Sequence, residues 1–131
     1  MPATARPLSP HVSVYRWQVQ MVTSILHRLT GIALAIGTLL LLALLLALAA
    51  GPDPYATVAG FCRSWIGIVL LVGWSWALSF HLLNGIRHLF QDFVWGYEIH
   101  QFVRNGFITS IGSLVLTALL WIGIYLQWGG A

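Results

Sequence analysis

The sequence has no lysine, a single cysteine, and charged residues that make up only 7% of its 131 residues. The lone cysteine, Cys62, cannot form an internal disulfide. Six arginines and three acidic residues leave a net charge of +3, which is too small and too dispersed to indicate a nucleic-acid partner. No long polar stretch remains that could build a soluble catalytic domain. These absences exclude an ordinary soluble enzyme and a nucleic-acid-binding protein.

Hydrophobic residues are abundant, at 59% of the chain, and they fall into three runs of about the 20 residues that a membrane-spanning helix needs. The sequence therefore predicts an all-α integral membrane protein with three transmembrane helices. We expect an N-terminal arm over residues 1–20 and a three-helix anchor over residues 21–131. Because the N-terminus lacks a short apolar core before a small-residue cleavage site, we expect no removable signal peptide. The helices are predicted at about residues 21–50, 61–90 and 106–128, with a stop at residues 51–54 and a short turn at residues 55–60.

The arginines predict the orientation of these helices. Positively charged loops tend to stay in the cytoplasm. Five arginines lie before the first span or beside the loop after the second, and only Arg63 lies on the other side. We therefore expect a cytoplasmic N-terminus and a periplasmic C-terminus in a bacterial inner membrane. The five arginines are Arg6, Arg16, Arg28, Arg87 and Arg104.

A polar stripe ends the second apolar run, within residues 81–92. At about 100° per residue, side chains three, four, seven and eleven positions apart return to one face of a helix. Arg87 does not follow this spacing and points elsewhere. Ionisable side chains inside a span are costly, which makes such a stripe a candidate functional site. Its members are His81, Asn84, Gly85, His88 and Asp92.

His81 lies about 12 Å inside the predicted cytoplasmic end of its helix. One interpretation is a core histidine that is hydrogen-bonded to a neighbouring helix. The other is an axial ligand of a non-covalently held haem, with Nε2 on iron and Nδ1–H on a backbone carbonyl. Gly85 would leave room for the porphyrin, and His88 would reach its propionates. Because no histidine on the first or third helix is expected at the depth of His81, a second ligand would come from another chain.

The beginning of the first helix carries a similar stripe of Ser24, His27, Arg28 and Gly31. The three- and four-residue spacing places these side chains on one face. His27 and Arg28 could simply mark the aqueous boundary of the helix and extend toward lipid headgroups. Since both stripes lie at the same predicted end, they are also expected to meet at one depth in the membrane.

Three motifs in this order resemble the cytochrome b subunits of succinate dehydrogenase, the succinate:quinone oxidoreductase of complex II. The resemblance covers the three-helix layout and therefore nearly the whole chain. Its last motif is the most specific, because chance agreement at that spacing is improbable. The motifs are Arg-Pro-Leu-Ser-Pro-His at residues 6–11 followed by Tyr15, Ser-Ile-Leu-His-Arg-Leu-Thr-Gly at residues 24–31, and His-x-x-Asn-Gly-x-Arg-His-Leu-x-x-Asp at residues 81–92.

The resemblance implies specific roles for these residues. His81 would be an axial ligand of haem b, and the second histidine would come from another small membrane-anchor subunit. His27, Arg28 and His88 would contact the haem propionates. Ser24 and Arg28 would line a ubiquinone pocket near the iron–sulfur subunit. The roles of His11, Asp92 and His100 stay open.

The resemblance also implies a membrane anchor that is not an enzyme on its own. Flavoprotein and iron–sulfur subunits would carry flavin and iron–sulfur clusters, oxidise succinate and pass electrons to ubiquinone at this anchor. Two alternatives remain. One is a cytochrome b-like anchor of a fumarate reductase or another respiratory dehydrogenase. The other is a membrane scaffold without a cofactor.

Overall fold

The computed structural model describes residues 16–96 and 98–128, apart from the side chain of Trp128. Within these ranges the chain is helical and contains no strand. The predicted all-α class is therefore confirmed. The four helices are α1 (Val19–Ala50), α2 (Pro52–Arg63), α3 (Trp65–Asp92) and α4 (Ile99–Trp128).

Three of the helices can cross a membrane by length and composition, as the sequence predicts. They are α1, α3 and residues 99–127 of α4, with 32, 28 and 29 residues respectively. At about 1.5 Å per residue, even the 28 residues of α3 exceed the roughly 30 Å hydrocarbon core of a bilayer. Each span therefore has room to tilt or to extend beyond the lipid.

Local sequence explains where the helices end. Gly51 has a φ of 125°, a conformation that favours glycine, and its N–H donates to the carbonyl of Ala47. Pro52 then occupies the first turn of α2, where the missing N–H costs little. Ser64 separates α2 from α3, and its hydroxyl accepts a hydrogen bond from the N–H of Gly67. The predicted stop after Ala50 is confirmed.

Two boundaries differ from the predictions. The residues expected to form a turn at 55–60 belong instead to α2. In addition, α4 begins at Ile99, about seven residues before the predicted start of the third helix. The polar residues there were interpreted as a loop. Polarity marks the point where a helix leaves the apolar region, but polar side chains do not end a helix, because the backbone of these residues can still form its hydrogen bonds within the helix.

The helix α3 packs against both α1 and α4, and α1 also contacts α4. Small residues allow the close approach. A Cβ atom at Gly37 of α1 would overlap the indole ring of Trp74 in α3, and one at Gly106 of α4 would lie 2.7 Å from Val19 Cγ1. Ser75 and Ser79 of α3 are buried against α4. Trp121 Nε1 donates to Ser75 Oγ at 2.9 Å, and Thr117 Oγ1 donates to Ser79 Oγ at 3.3 Å.

We predict that Gly37→Ala destabilises the contact between α1 and α3. The added methyl group would force the Trp74 ring to move, and overpacking of this kind costs about 1–3 kcal/mol. The measurement is thermal unfolding of the purified complex in detergent. Gly73→Ala is the matched control, because a Cβ at Gly73 meets nothing within 4 Å. Equal melting temperatures for the two variants would show that the contact does not require glycine.

Candidate functional site

Three histidines from α1 and α3 lie side by side near the end where α1 begins and α3 ends. The rings of His27 and His81 stack, with centroids 4.0 Å apart and planes inclined by 13°. The centroids of His27 and His88 are 5.3 Å apart. The predicted meeting of the two polar stripes is therefore confirmed. The expectation that the first helix has no histidine at the depth of His81 is wrong, because the ring of His27 stacks on the ring of His81.

The hydrogen bonds of His81 determine which of its nitrogens carries the proton. Nδ1 lies 3.2 Å from the carbonyl oxygen of His27 and 3.3 Å from Thr30 Oγ1. The Thr30 hydroxyl donates its own proton to the same carbonyl, at 3.0 Å, so its oxygen faces Nδ1 as an acceptor. In a neutral imidazole, these two acceptors favour the tautomer with the proton on Nδ1 and the lone pair on Nε2. Thr30 was not identified as a site residue from the sequence, although it belongs to the second motif and is next to Gly31 of the predicted stripe.

The two glycines of the stripes have different surroundings. A Cβ at Gly31 would lie 3.1 Å from His81 Cε1, so Gly31 is the glycine that permits the imidazole to approach α1. A Cβ at Gly85 would meet nothing within 4 Å. The space next to Gly85, one turn from His81, is therefore open. The interpretation of His81 as a haem ligand requires such a space for the flat porphyrin.

The remaining predicted site residues border the same region. His27 and His81 are partly buried, whereas Ser24, Arg28 and His88 are exposed on the surface of the isolated chain. Ser24 and Arg28 are four residues apart on α1, which places both on one face. The buried Nδ1 of His27 has no hydrogen-bond partner among the described residues.

Asn84, which was predicted to lie on the stripe, points into the protein and pairs there with Arg87, which was predicted to lie off the stripe. Asn84 is fully buried and Arg87 is 7% exposed. Arg87 Nη1 donates to Asn84 Oδ1 at 3.1 Å and to Thr23 Oγ1 of α1 at 3.4 Å. The guanidinium also lies 4.3 Å from the centre of the Phe102 ring of α4. The i, i+3 spacing of the asparagine and the arginine was available in the sequence, but only the packing shows that both face the helix bundle.

The other polar residues lie outside this cluster. Asp92 is exposed at the last residue of α3. His100 Nδ1 is 3.4 Å from Glu98 Oε2 on the surface. No group of three histidine, cysteine or acidic side chains with the geometry of a metal-ion site occurs in residues 16–96 and 98–128. His11, Tyr15 and the rest of the first motif lie outside the described residues.

The fold and the cluster define a class of protein: a helical membrane protein that gathers histidines between two spans near one end. A family model described as the succinate dehydrogenase/fumarate reductase transmembrane subunit matches residues 2–120. The chain belongs to this family. The resemblance to the cytochrome b subunits of succinate dehydrogenase is thereby confirmed, and individual relatives agree with it.

The relatives come from bacteria and from mitochondria. The chain is 44% identical over 114 residues to the succinate dehydrogenase cytochrome b556 subunit of Paracoccus denitrificans, with 87% of this chain and 88% of the relative covered. It is 41% identical over 117 residues to the cytochrome b556 subunit of Rickettsia felis, with 89% and 91% covered. It is 39% identical over 126 residues to the mitochondrial cytochrome b560 subunit of Sus scrofa, with 91% and 69% covered.

We predict that Asn84→Ala destabilises the protein by about 1–3 kcal/mol, because the buried guanidinium of Arg87 loses its better acceptor. A double-mutant cycle with Arg87→Met measures the interaction, read out as chemical or thermal unfolding in detergent. The double variant should be less destabilised than the sum of the single variants. Additive effects would mean that the two side chains do not stabilise each other.

Proposed function

We propose that the chain is a membrane-anchor cytochrome b subunit of succinate dehydrogenase that binds haem b together with a partner anchor subunit. We also propose that it forms part of the site where ubiquinone is reduced. The observation that carries the proposal is the geometry of His81. A backbone carbonyl and a hydroxyl hold Nδ1 and leave the lone pair of Nε2 for a metal.

The residues at this place fit a haem. Metal-binding histidines commonly donate their second N–H to a carbonyl, which fixes the ring and raises the basicity of the ligating nitrogen. Nδ1 of His81 does this with the carbonyl of His27. The open space beside Gly85 would accept the face of a planar macrocycle. Haem would supply one-electron redox chemistry when bound, and His81 would hold it at a set depth.

The second axial ligand would come from the partner anchor subunit. Two ligands on opposite faces of one porphyrin point their nitrogens toward each other. His27 and His81 instead stack face to face, with planes inclined by only 13°, which sets their nitrogens side by side. His27 is therefore suited to orient His81 and to donate at the edge of the macrocycle. Its unpartnered Nδ1 supports this role.

His88 and Arg28 are suited to bind the haem propionates. His88 is two turns from His81 on α3, about 10.5 Å closer to the end of the helix. Both side chains are exposed on the isolated chain, so each can reach a carboxylate lying outside α1 and α3. Charge-assisted hydrogen bonds from such groups would neutralise the propionates at the membrane rim.

We predict that His81→Ala abolishes the b-type signal in the reduced-minus-oxidised spectrum of the purified complex, because the haem would lose one axial ligand. The matched control is His100→Ala, whose side chain is 71% exposed and lies outside the cluster. The control should keep the signal. An unchanged spectrum in His81→Ala would reject the ligand assignment, and no signal in the unaltered complex would favour a scaffold without a cofactor.

Ser24 and Arg28 are suited to the quinone. Their side chains share one exposed face of α1, next to the histidine cluster, where the iron–sulfur subunit would cover them. The Ser24 hydroxyl can donate to a quinone carbonyl. Arg28 can stabilise negative charge on a quinone oxygen, so that the two side chains orient and polarise the substrate.

The remaining parts of the proposal concern the whole assembly. The chain would not be an enzyme by itself, since flavin and iron–sulfur clusters would lie in the partner flavoprotein and iron–sulfur subunits. We propose a bacterial inner membrane location with the histidine end toward the cytoplasm. Of the arginines in the described residues, four lie at that end and only Arg63 lies at the other, which supports this orientation. The relatives named as succinate dehydrogenase subunits favour succinate oxidation over fumarate reduction.

We predict that Ser24→Ala raises the KM for ubiquinone about tenfold, as expected for the loss of one hydrogen bond to the substrate. Arg28→Leu should lower the rate of ubiquinone reduction more than Ser24→Ala does. The measurement compares succinate-dependent ubiquinone reduction with reduction of a soluble phenazine dye, which bypasses the membrane subunits and should stay unchanged. Thr38→Ala, another exposed hydroxyl on α1, is the control. Unaltered ubiquinone kinetics in both variants would place the quinone elsewhere.

A further inference from the structure

A cavity of about 570 Å³ lies between α3 and α4 at the same end as the histidines. It is open on one side, and its volume falls in the range of small-molecule sites. None of the proposed haem or quinone residues lines it. The lining residues include Arg87, Phe90, Gln91, Arg104, Asn105 and Ile108.

The cavity is on the far side of α3 from the histidines. At about 100° per residue, Arg87 lies about 120° around the helix from His81, and Phe90 lies about 180° from it. A molecule in this cavity would therefore touch neither His81 nor Ser24. A molecule in this cavity and the proposed haem would therefore contact different residues of the chain.

The cavity contains cationic groups that the described residues do not neutralise. Arg87 is 7% exposed, and its Nε and Nη2 have no hydrogen-bond partner. Nε2 of the buried Gln91, which also lines the cavity, has no partner either. The one ion pair found in the described residues joins His100 and Glu98. A buried guanidinium with unused donors is costly unless an anion reaches it.

The polarity of the walls changes with depth. Gln91, Arg104 and Asn105 lie near the helix ends, whereas Ile108 and Leu83 lie deeper in the two spans. From Arg104 to Gly112, α4 rises by about 12 Å. The cavity therefore combines a cationic, amide-lined rim with an apolar interior. This gradient matches a molecule with an anionic head and a hydrocarbon tail.

We propose that this cavity is a binding site for one anionic phospholipid. The phosphate accepts hydrogen bonds from the guanidinium groups of Arg87 and Arg104 at the level of the headgroups, which requires a small rotation of the Arg87 side chain. An acyl chain lies against Leu83, Phe90 and Ile108. A quinone headgroup would leave the cations unneutralised, and free phosphate would leave the apolar wall empty.

The test is native mass spectrometry of the complete complex, taken from nanodiscs that contain equal amounts of dioleoylphosphatidylglycerol and dioleoylphosphatidylcholine. We expect one strongly retained phosphatidylglycerol. Arg104→Gln should weaken its retention by on the order of tenfold, as expected for one lost charge-assisted contact. Ile108→Trp should also displace the lipid by filling the apolar part of the cavity.

Two substitutions serve as matched controls. Arg16→Gln removes an exposed arginine at the same end of the protein. Ile111→Trp enlarges a side chain that is 60% exposed, as is that of Ile108, but that does not line the cavity. Both should keep the lipid.

Three results would overturn the proposal. They are equal retention of phosphatidylcholine, equal loss of lipid in variants and controls, and full displacement of the lipid by inorganic phosphate alone. A photo-crosslinker at Ile108 that captures a partner subunit instead of lipid would also overturn it.

Discussion

A polar group inside a bilayer must find its hydrogen-bond partner within the protein. This constraint organises the end of the molecule where α1 begins and α3 ends. The carbonyl of His27 accepts from both Thr30 and His81. One backbone oxygen thereby joins α1 to α3 and fixes the imidazole of His81. Because Gly31 has no side chain, the ring can approach this carbonyl. In a neutral imidazole, the same contacts favour the tautomer with its proton on Nδ1.

The helix α3 has two polar faces with different surroundings. Its histidine face meets α1 and opens outward, where partly buried and exposed side chains lie next to each other. Its other polar face carries Asn84 and Arg87, which hydrogen-bond to each other and to α1 within the bundle. Burial distinguishes these faces. The histidine face keeps partly buried and exposed side chains, whereas the Arg87 face uses buried polar groups that contact α1 and α4. A single helix can therefore serve both a site and the packing of the protein.

The outward position of the proposed site residues agrees with membership in a family of membrane subunits that work within a larger enzyme. Ser24, Arg28 and His88 are exposed on the isolated chain, although they lie beside partly buried histidines. Charged side chains are costly against lipid, so these residues are better suited to a cofactor or a partner subunit than to the bilayer. The large exposed apolar surface of α1 and α4 is, in contrast, what lipid requires.

The sequence by itself determined the helical membrane class, the stop at Gly51 and the expectation that two histidine-bearing stripes lie at one end. Hydrophobic run length, arginine distribution, glycine and proline chemistry, and helical periodicity all follow directly from the order of residues. Only the tertiary structure decided which neighbours the polar groups meet. It revealed α2 and the early start of α4, placed His27 at the level of His81, and turned Arg87 into the bundle. These features depend on how helices tilt and rotate against one another, which the spacing along one helix does not specify.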